Sequence, residues 1–177
     1  MLNETNKIDA TFLLFFALIT MVSYSCENKK KVEVENEESA HMTTIHQDEK
    51  ESKAKLMDLL ESLENKNLNQ LTNIMSASDE MSLIFTDGTI LSGVDSFIEF
   101  HRNWFLDTNW TMTHELVDFN CYGNYSTSTV KAYYKEQQRN GKPYHHYMIV
   151  SYVLRKAHDG EWMIIKDQST TFDKTLN

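Results

Sequence analysis

The sequence of 177 residues predicts an α+β fold for its carboxyl-terminal two thirds. Apolar residues recur at helical spacing through the middle third, and they alternate with polar residues at strand spacing through the last third. The strand-like segments are joined by loops too short for a helical crossover, which favours antiparallel neighbours. Helices followed by an antiparallel sheet are expected to pack on one face of that sheet.

Residues 1–26 contain an apolar run that ends shortly before a cysteine. The apolar run from Ala10 to Tyr24 covers about fifteen residues, fewer than the roughly 20 that a membrane-spanning helix needs. A small residue, Ser25, then precedes Cys26, and this ending resembles the signal peptide of a bacterial lipoprotein. The resemblance implies that Cys26 carries lipid and anchors the chain in the cell envelope, on the periplasmic side or in the outer membrane. Lysines 29–31 follow the run, and this charge distribution also suits an uncleaved amino-terminal membrane anchor.

Residues 27–47 predict a disordered acidic tether. Acidic residues outnumber basic ones there and aromatic residues are absent, so the segment buries too little surface to offset its chain entropy. The whole chain has a formal net charge of −9. Since phosphate binding needs a basic face and none is visible, nucleic acid is excluded as a partner.

The predicted domain, residues 48–177, begins with helices. An amphipathic helix is expected from about Asp48 to Glu64, because leucines recur on one of its sides, and a second short helix around residues 68–75. After a hairpin, Asp95 or Ser96 can cap a third helix. That helix carries an aromatic side formed by Phe97, Phe100, Trp104 and Phe105.

A short hairpin is expected before the third helix, and four longer strands are expected after it. Met81 to Phe85 and Ile90–Leu91 flank an Asp-Gly turn and predict a short hairpin between the second and third helices. Four longer strands are expected after the third helix, at Trp110 to Tyr122, Thr127 to Gln138, Tyr144 to Lys156 and Glu161 to Phe172.

The order of these elements resembles the nuclear transport factor two-like superfamily, particularly its SnoaL-like and ketosteroid-isomerase-like bacterial branches. The resemblance depends on the helix break at residues 64–67, the turn from Phe85 to Gly93, the aromatic helix and the closing segment from Gly160 to Thr170. It implies a cone-shaped α+β barrel whose amino-terminal helices pack in a strongly curved antiparallel sheet, around a mostly apolar cavity. It also implies frequent homodimerisation through the sheet, for which the strand residues Tyr125, Tyr133 and Tyr152 are candidates. The superfamily contains several kinds of enzyme and many noncatalytic domains, so it implies no single reaction.

The candidate site residues lie on the strands and on the aromatic helix. If Asp167 points into the cavity, desolvation would raise its pKa toward that of a useful general base; otherwise it bonds within its strand or a loop. His114 could act as an acid or base if Asp118 or Asp167 orients its imidazole. Further candidates for the ligand pocket are Trp104, His101, Tyr134 and Asp118. A single β-bulge would exchange the two faces of a strand, so their facing stays open.

No metal or cofactor is expected. His145 and His146 are adjacent in a predicted strand and should point to opposite faces, which makes it difficult for one ion to bind both. Cys121 lies alone in another predicted strand and is expected to behave as a small buried hydrophobic residue.

Two classes of function are consistent with these features. We favour a membrane-tethered, noncatalytic module that binds a small apolar molecule or a protein partner, because few polar groups can be assigned to the cavity. The alternative is an isomerase-, cyclase- or hydrolase-like enzyme that uses Asp167 or His114 as general acid or base.

Overall fold

The computed structural model describes residues 42–75 and 80–176. The predicted signal peptide, Cys26 and most of the predicted tether lie outside the described residues and stay predictions. Within the described part, no helix has the length and apolar character required to cross a membrane. The chain divides into two units, Met1–Thr44 and Ile45–Asn177, and the fold given below is that of the second.

Within the described residues, three helices precede the long strands. Helix α1 spans residues 42–64, so it begins earlier than the predicted start at Asp48. Asp48 itself is buried, and its carboxylate lies 2.5 Å from the Lys156 ammonium, which joins the first turns of α1 to the sheet. Helix α2, Leu68–Ile74, is capped by the Asn67 side chain, which accepts a hydrogen bond from the Gln70 N–H.

Helix α3, Val94–Phe105, starts differently from the prediction. Its N-cap is Gly93, without a side-chain cap, so the expected capping by Asp95 or Ser96 is wrong. Gly93 has φ 85°, a value that glycine adopts easily, and its N–H donates to the Met81 carbonyl at 2.7 Å. The chain therefore turns from a strand directly into the helix and leaves no room for a separate capping residue.

In the part of the chain that the structure describes, six strands form one sheet in the order β2-β1-β6-β5-β4-β3. Their bounds are Ser82–Ile84 for β1, Ile90–Ser92 for β2, Trp110–Tyr122 for β3, Tyr125–Arg139 for β4, Lys142–Lys156 for β5 and Trp162–Lys174 for β6. The predicted antiparallel meander is confirmed for β3 to β6. Strand β1 pairs with β6 in parallel, which local patterning could not predict, because the connection between them includes α3 and four strands.

Register shifts in the long strands decide which residues face inward. On β3 the shift lies between Leu116 and Asp118, and it turns Asp118 to the exposed side. In a regular strand Ile164 and Asp167 would point to opposite faces, because they are an odd number of residues apart. The shift on β6 opposite Val153 and Leu154 allows both to be buried. Bulges of this kind also bend a sheet, in keeping with its curved, unclosed form.

The core lies between the helices and the inner face of the sheet. Leu56 and Leu59 of α1 are fully buried, and Phe97 of α3 and Trp110 of β3 are about as inaccessible. Tyr152 of β5 is also buried, so it does not belong to the exposed strand tyrosines with which the sequence grouped it. The domain is thus an α+β cone, with α1 and α3 packed inside a curved sheet.

Candidate functional site

A cavity of about 330 Å³ lies between α3 and the inner face of the long strands. Most of its lining is apolar or aromatic, and the apolar side chains include Leu63, Leu83, Phe100, Trp104, Met148 and Val150. A cavity of this size and character suits a small organic molecule.

The sheet register arranges the cavity in rows from a buried end to an exposed mouth. At the buried end Tyr152 pairs with Asp167. In the middle row His114 pairs with Ala132, and Ala132 pairs with Met148. Nearer the opening the row continues from Tyr134 through His146 to Lys174. We use "inner end" for Tyr152 and Asp167, and "mouth" for Arg139, His146 and Lys174.

Asp167 is the most unusual polar group of the cavity. It is only 7% exposed, and among the described residues no hydrogen bond or charge offsets the effect of burial on its carboxyl group. Burial raises its pKa to about 7. Its neighbour Tyr152 is 2% exposed, and burial, with a smaller effect from the Asp167 charge, raises the pKa of that phenol well above its ordinary value. A buried carboxyl group without a protein partner is costly and marks a candidate functional group.

His114 is held by a carboxylate that the sequence did not indicate. Glu64, at the end of α1, accepts hydrogen bonds from the His114 N–H at 2.7 Å and from its ring Nδ1 at 2.9 Å. Burial lowers the pKa of His114, and Glu64 opposes part of that effect. Because Nδ1 donates to Glu64, the neutral ring keeps Nε2 as an acceptor. The expected orienting residues were Asp118 or Asp167; only the helix break after Glu64 hinted at this position.

His101 is a buried, neutral histidine of α3. Its Nδ1 donates to the Phe97 carbonyl at 2.8 Å, and burial lowers its pKa to about 4. Four aromatic rings surround it, from Phe97, Phe100, Trp104 and Phe105. Since Nδ1 carries the proton, Nε2 is available as an acceptor in this aromatic wall. Trp104 extends the wall by stacking on Trp110, with ring centroids 4.3 Å apart.

Tyr134 lines the cavity, but its hydroxyl is already engaged. It donates to Glu136 Oε1 at 2.6 Å, and burial followed by this bond raises the pKa of the phenol. Glu136 also pairs with Arg139, whose guanidinium lies 3.5 Å from the centroid of the Tyr144 ring. The Tyr134 ring therefore lines the cavity in a fixed orientation. Its hydroxyl already donates to Glu136 and is not free to donate to a ligand.

The mouth contains basic residues that sequence analysis did not assign to the site. His146 Nε2 lies 2.7 Å from Thr171 Oγ1, and burial, then the charges of Lys174 and Arg139, lower its pKa. His145 points to the other face and contacts Asp173 at 3.2 Å, so the two adjacent histidines diverge as expected. The period-two pattern offered a hint for His146, but the position of Lys174 depends on a second register shift, between Tyr147 and Met148.

Asp118 and Cys121 lie apart from the cavity lining. Asp118 is exposed and accepts a hydrogen bond from Asn120 Nδ2 at 2.7 Å. Cys121 is half-buried, with its Sγ 3.9 Å from Ser52 Oγ, and burial raises the pKa of its thiol. No group of three or more potential ligands able to hold a metal ion occurs among the residues described, 42–75 and 80–176.

Two kinds of proton chemistry are possible in this arrangement. With a pKa near 7, the Asp167 carboxyl can donate a hydrogen bond when protonated or accept a proton when ionised. His114, held by Glu64, can accept a proton at Nε2 and share the resulting charge with the carboxylate. Both side chains line the same mostly apolar cavity.

Sequence comparisons give no match for this chain, either among protein-family models or among curated proteins. Comparison with solved structures does give matches. A nuclear transport factor 2 (NTF2-like) superfamily protein from Salmonella enterica serovar Typhimurium is 21% identical, with a TM-score of 0.60, over 76% of this chain and 96% of that one.

Two further structures have the same architecture. A ketosteroid isomerase-like protein from Erwinia carotovora is 12% identical, with a TM-score of 0.58, over 71% of this chain and 97% of that one. A proposed dehydratase of the NTF2-like family from Streptomyces avermitilis is 14% identical, with a TM-score of 0.60, over 72% and 97%. At such identities the likeness concerns the fold and not the reaction. The expected architecture is confirmed: this domain has the nuclear transport factor two-like fold.

Proposed function

We propose that the domain binds a small, largely apolar molecule in its cavity and that Asp167 contacts the polar group of that molecule. The observation that supports this proposal is the Asp167 carboxyl, which is buried, lines the cavity and has no hydrogen-bond partner among the described residues. Leaving such a group unsatisfied costs about 1–3 kcal/mol. A ligand that supplies a hydroxyl, carbonyl or amine group would remove that cost.

The apolar lining determines the rest of the ligand. Phe100, Trp104 and Met148 offer aromatic and flexible apolar contacts, and His101 and His114 add single acceptor atoms between them. A few polar groups in an apolar pocket orient a ligand, while the apolar contacts supply most of the affinity. These contacts are noncovalent, so the ligand can bind without reacting.

The binding proposal can be tested with a neutral fluorescent probe, N-phenyl-1-naphthylamine. We expect the full-length chain to bind it with saturable fluorescence enhancement. Ala132→Phe, which adds a ring inside the cavity, should abolish saturable binding; Thr127→Phe, on the exposed face of the same strand, should not. Equal binding by both variants would show that the probe does not occupy the cavity.

An enzyme is the second candidate, and the His114–Glu64 pair favours it. A histidine oriented by a carboxylate and a carboxyl group with a pKa of about 7 are the components of general acid–base catalysis. An isomerase-, cyclase- or hydrolase-like reaction would place the reacting carbon between these groups. Asp167→Asn separates the two candidates, because it removes the base but keeps the shape of the side chain.

On a substrate found by screening, Asp167→Asn should lower kcat by about 10²- to 10⁴-fold if Asp167 moves a proton. In a binding module the same variant should retain affinity for the neutral probe within about threefold, because the apolar contacts remain. Unchanged turnover by the variant would exclude Asp167 as the catalytic base.

We also propose that Cys26 is lipidated and that the domain works at a bacterial membrane as a homodimer. The apolar run and the small residue before Cys26 support the anchor, and the exposed aromatic residues of the outer sheet face support association. We expect Cys26→Ala to lose labelling by radioactive palmitate and to leave the membrane fraction. A parent chain that carries no palmitate label and still stays in the membrane fraction would support the uncleaved anchor instead.

A further inference from the structure

The mouth of the cavity brings together basic side chains from three neighbouring strands. Arg139 is the last residue of β4, His146 lies on β5 and Lys174 is the last residue of β6, and all three line the cavity. His146 is paired directly with Lys174 in the sheet register. This grouping results from the two irregularities near the strand ends, between Glu136 and Arg139 and between Tyr147 and Met148.

Acidic side chains balance this positive charge only in part. Glu136 pairs with Arg139 and also accepts a hydrogen bond from the Tyr134 hydroxyl, so its two oxygens are occupied. Lys174, by contrast, forms no ion pair with a carboxylate in the described part of the chain. Asp87 is close enough for the lysine to lower its pKa slightly, but it is fully exposed. Asp173 pairs with His145 on the opposite face.

The groups around His146 show the same excess of positive charge at the mouth. Apart from burial, its pKa is lowered by Lys174, Arg139 and His145, all of which repel a proton on its ring. The chain as a whole has a formal net charge of −9. A positive region at the opening of an apolar cavity is therefore a local feature, and such a region attracts anions toward the cavity.

We propose that the ligand is a small organic anion, a mostly apolar molecule whose carboxylate, sulfonate or phosphate group lies at the mouth beside Lys174 and Arg139. This proposal rests on the proposed binding function and adds the chemical class of the ligand. The apolar body contacts Trp104, Phe100 and Met148, and the charged group stays at the exposed end.

The opposite orientation is disfavoured by charge and solvation. At the inner end an anionic group would meet the Asp167 carboxyl and the buried Tyr152. A charge buried there would lose its hydration without gaining a cation. At the mouth the same group keeps part of its hydration and gains Lys174. The anionic group of the ligand therefore lies at the mouth, and its neutral polar group lies beside Asp167 at the inner end.

Two probes with one aromatic body test the proposal. 1-Anilinonaphthalene-8-sulfonate carries a sulfonate, and N-phenyl-1-naphthylamine is its neutral counterpart. In fluorescence titrations of the full-length chain at low salt, we expect the sulfonate probe to bind more tightly. Added salt should weaken the binding of the sulfonate probe much more than that of the neutral probe.

Lys174→Gln should lower the affinity for the sulfonate probe by at least about fivefold and change the affinity for the neutral probe by less than about twofold. Lys135→Gln, which removes the same charge from an exposed position of β4, should change neither affinity. Equal affinities of the two probes, or an equal effect of Lys174→Gln on both, would overturn the anion proposal while the cavity still binds. Failure of the proposed function looks different: neither probe then binds in a manner that Ala132→Phe blocks.

Discussion

Asp167 is a carboxyl group whose ionisation opposes folding. Its pKa is about 7 in the folded protein against an ordinary value of 3.8. Between these values the folded state holds a proton that the unfolded chain releases, so the free energy of unfolding decreases as the pH rises through this window. Burial without a cation is the cause, and the loss is complete above the folded-state pKa.

Asp167→Asn should remove this pH-dependent loss. We expect the variant to gain stability over the parent protein as the pH rises from about 4 to about 8, by at most roughly 4 kcal/mol, at 1.36 kcal/mol per pKa unit. Urea denaturation at several pH values measures the difference. Asp118→Asn is the matched control, because Asp118 is exposed and the change should stay within about 0.5 kcal/mol. A gain that is equal at acidic and neutral pH would contradict a buried, ionisable Asp167.

Some residues of the candidate site were predictable from the sequence and others were not. Asp167 and His114 were identified by residue type within strand patterns, and both line the cavity. Asp118 was assigned by the same alternation, which the irregularity after Leu116 reverses. Glu64 could not be assigned, because it meets His114 across 50 positions of sequence. Contacts of this kind depend on the packing of a helix against a strand and leave no local pattern.

The contact between α1 and β3 can be tested through the ionisation of His114. Glu64→Gln keeps a hydrogen-bond acceptor but removes the negative charge that raises the His114 pKa. Burial continues to lower that pKa, so we expect it to fall further in the variant. Titration of the His114 ring resonances by NMR measures the change. Glu61→Gln, an exposed change on the same helix, is the control; an unchanged or higher His114 pKa in the Glu64 variant would show that the pair is not formed in solution.

The elements themselves were largely predictable from the sequence. The bounds of β3 are those predicted, and the other long strands differ by three residues or fewer at either end. Their alternation of apolar and polar residues is a local property, as is the leucine spacing of α1. The register shifts and the parallel β1–β6 pair are not local, because they depend on how distant strands meet. These shifts determine the facing of Asp167 and Lys174, so the fold was easier to predict than the site.

At the scale of the whole molecule, the sheet separates two surfaces with different properties. Its inner face encloses the cavity, whereas its outer face carries an aromatic cluster of Tyr133, Tyr147 and Phe172. Phe172 is 48% exposed. Charges of both signs surround the cluster, including the Lys131–Glu115 and His145–Asp173 pairs. A surface with an apolar centre and mixed charges can pair with a second copy of itself about a two-fold axis.

The proposed homodimer therefore depends on this outer face, and Tyr147 lies at its centre. Its ring contacts Tyr133 and Phe172, with centroids 5.2 and 6.0 Å away. Tyr147→Glu would place a charge in the middle of an interface that association must desolvate, a cost of about 2 kcal/mol or more. We expect light scattering coupled to gel filtration to show a dimer for the parent protein and a monomer for the variant.

Met57→Glu, on an exposed position of α1, should remain dimeric. A dimer that survives the Tyr147 change would move the interface away from the outer face, whereas a parent protein that is monomeric at all concentrations would exclude the homodimer.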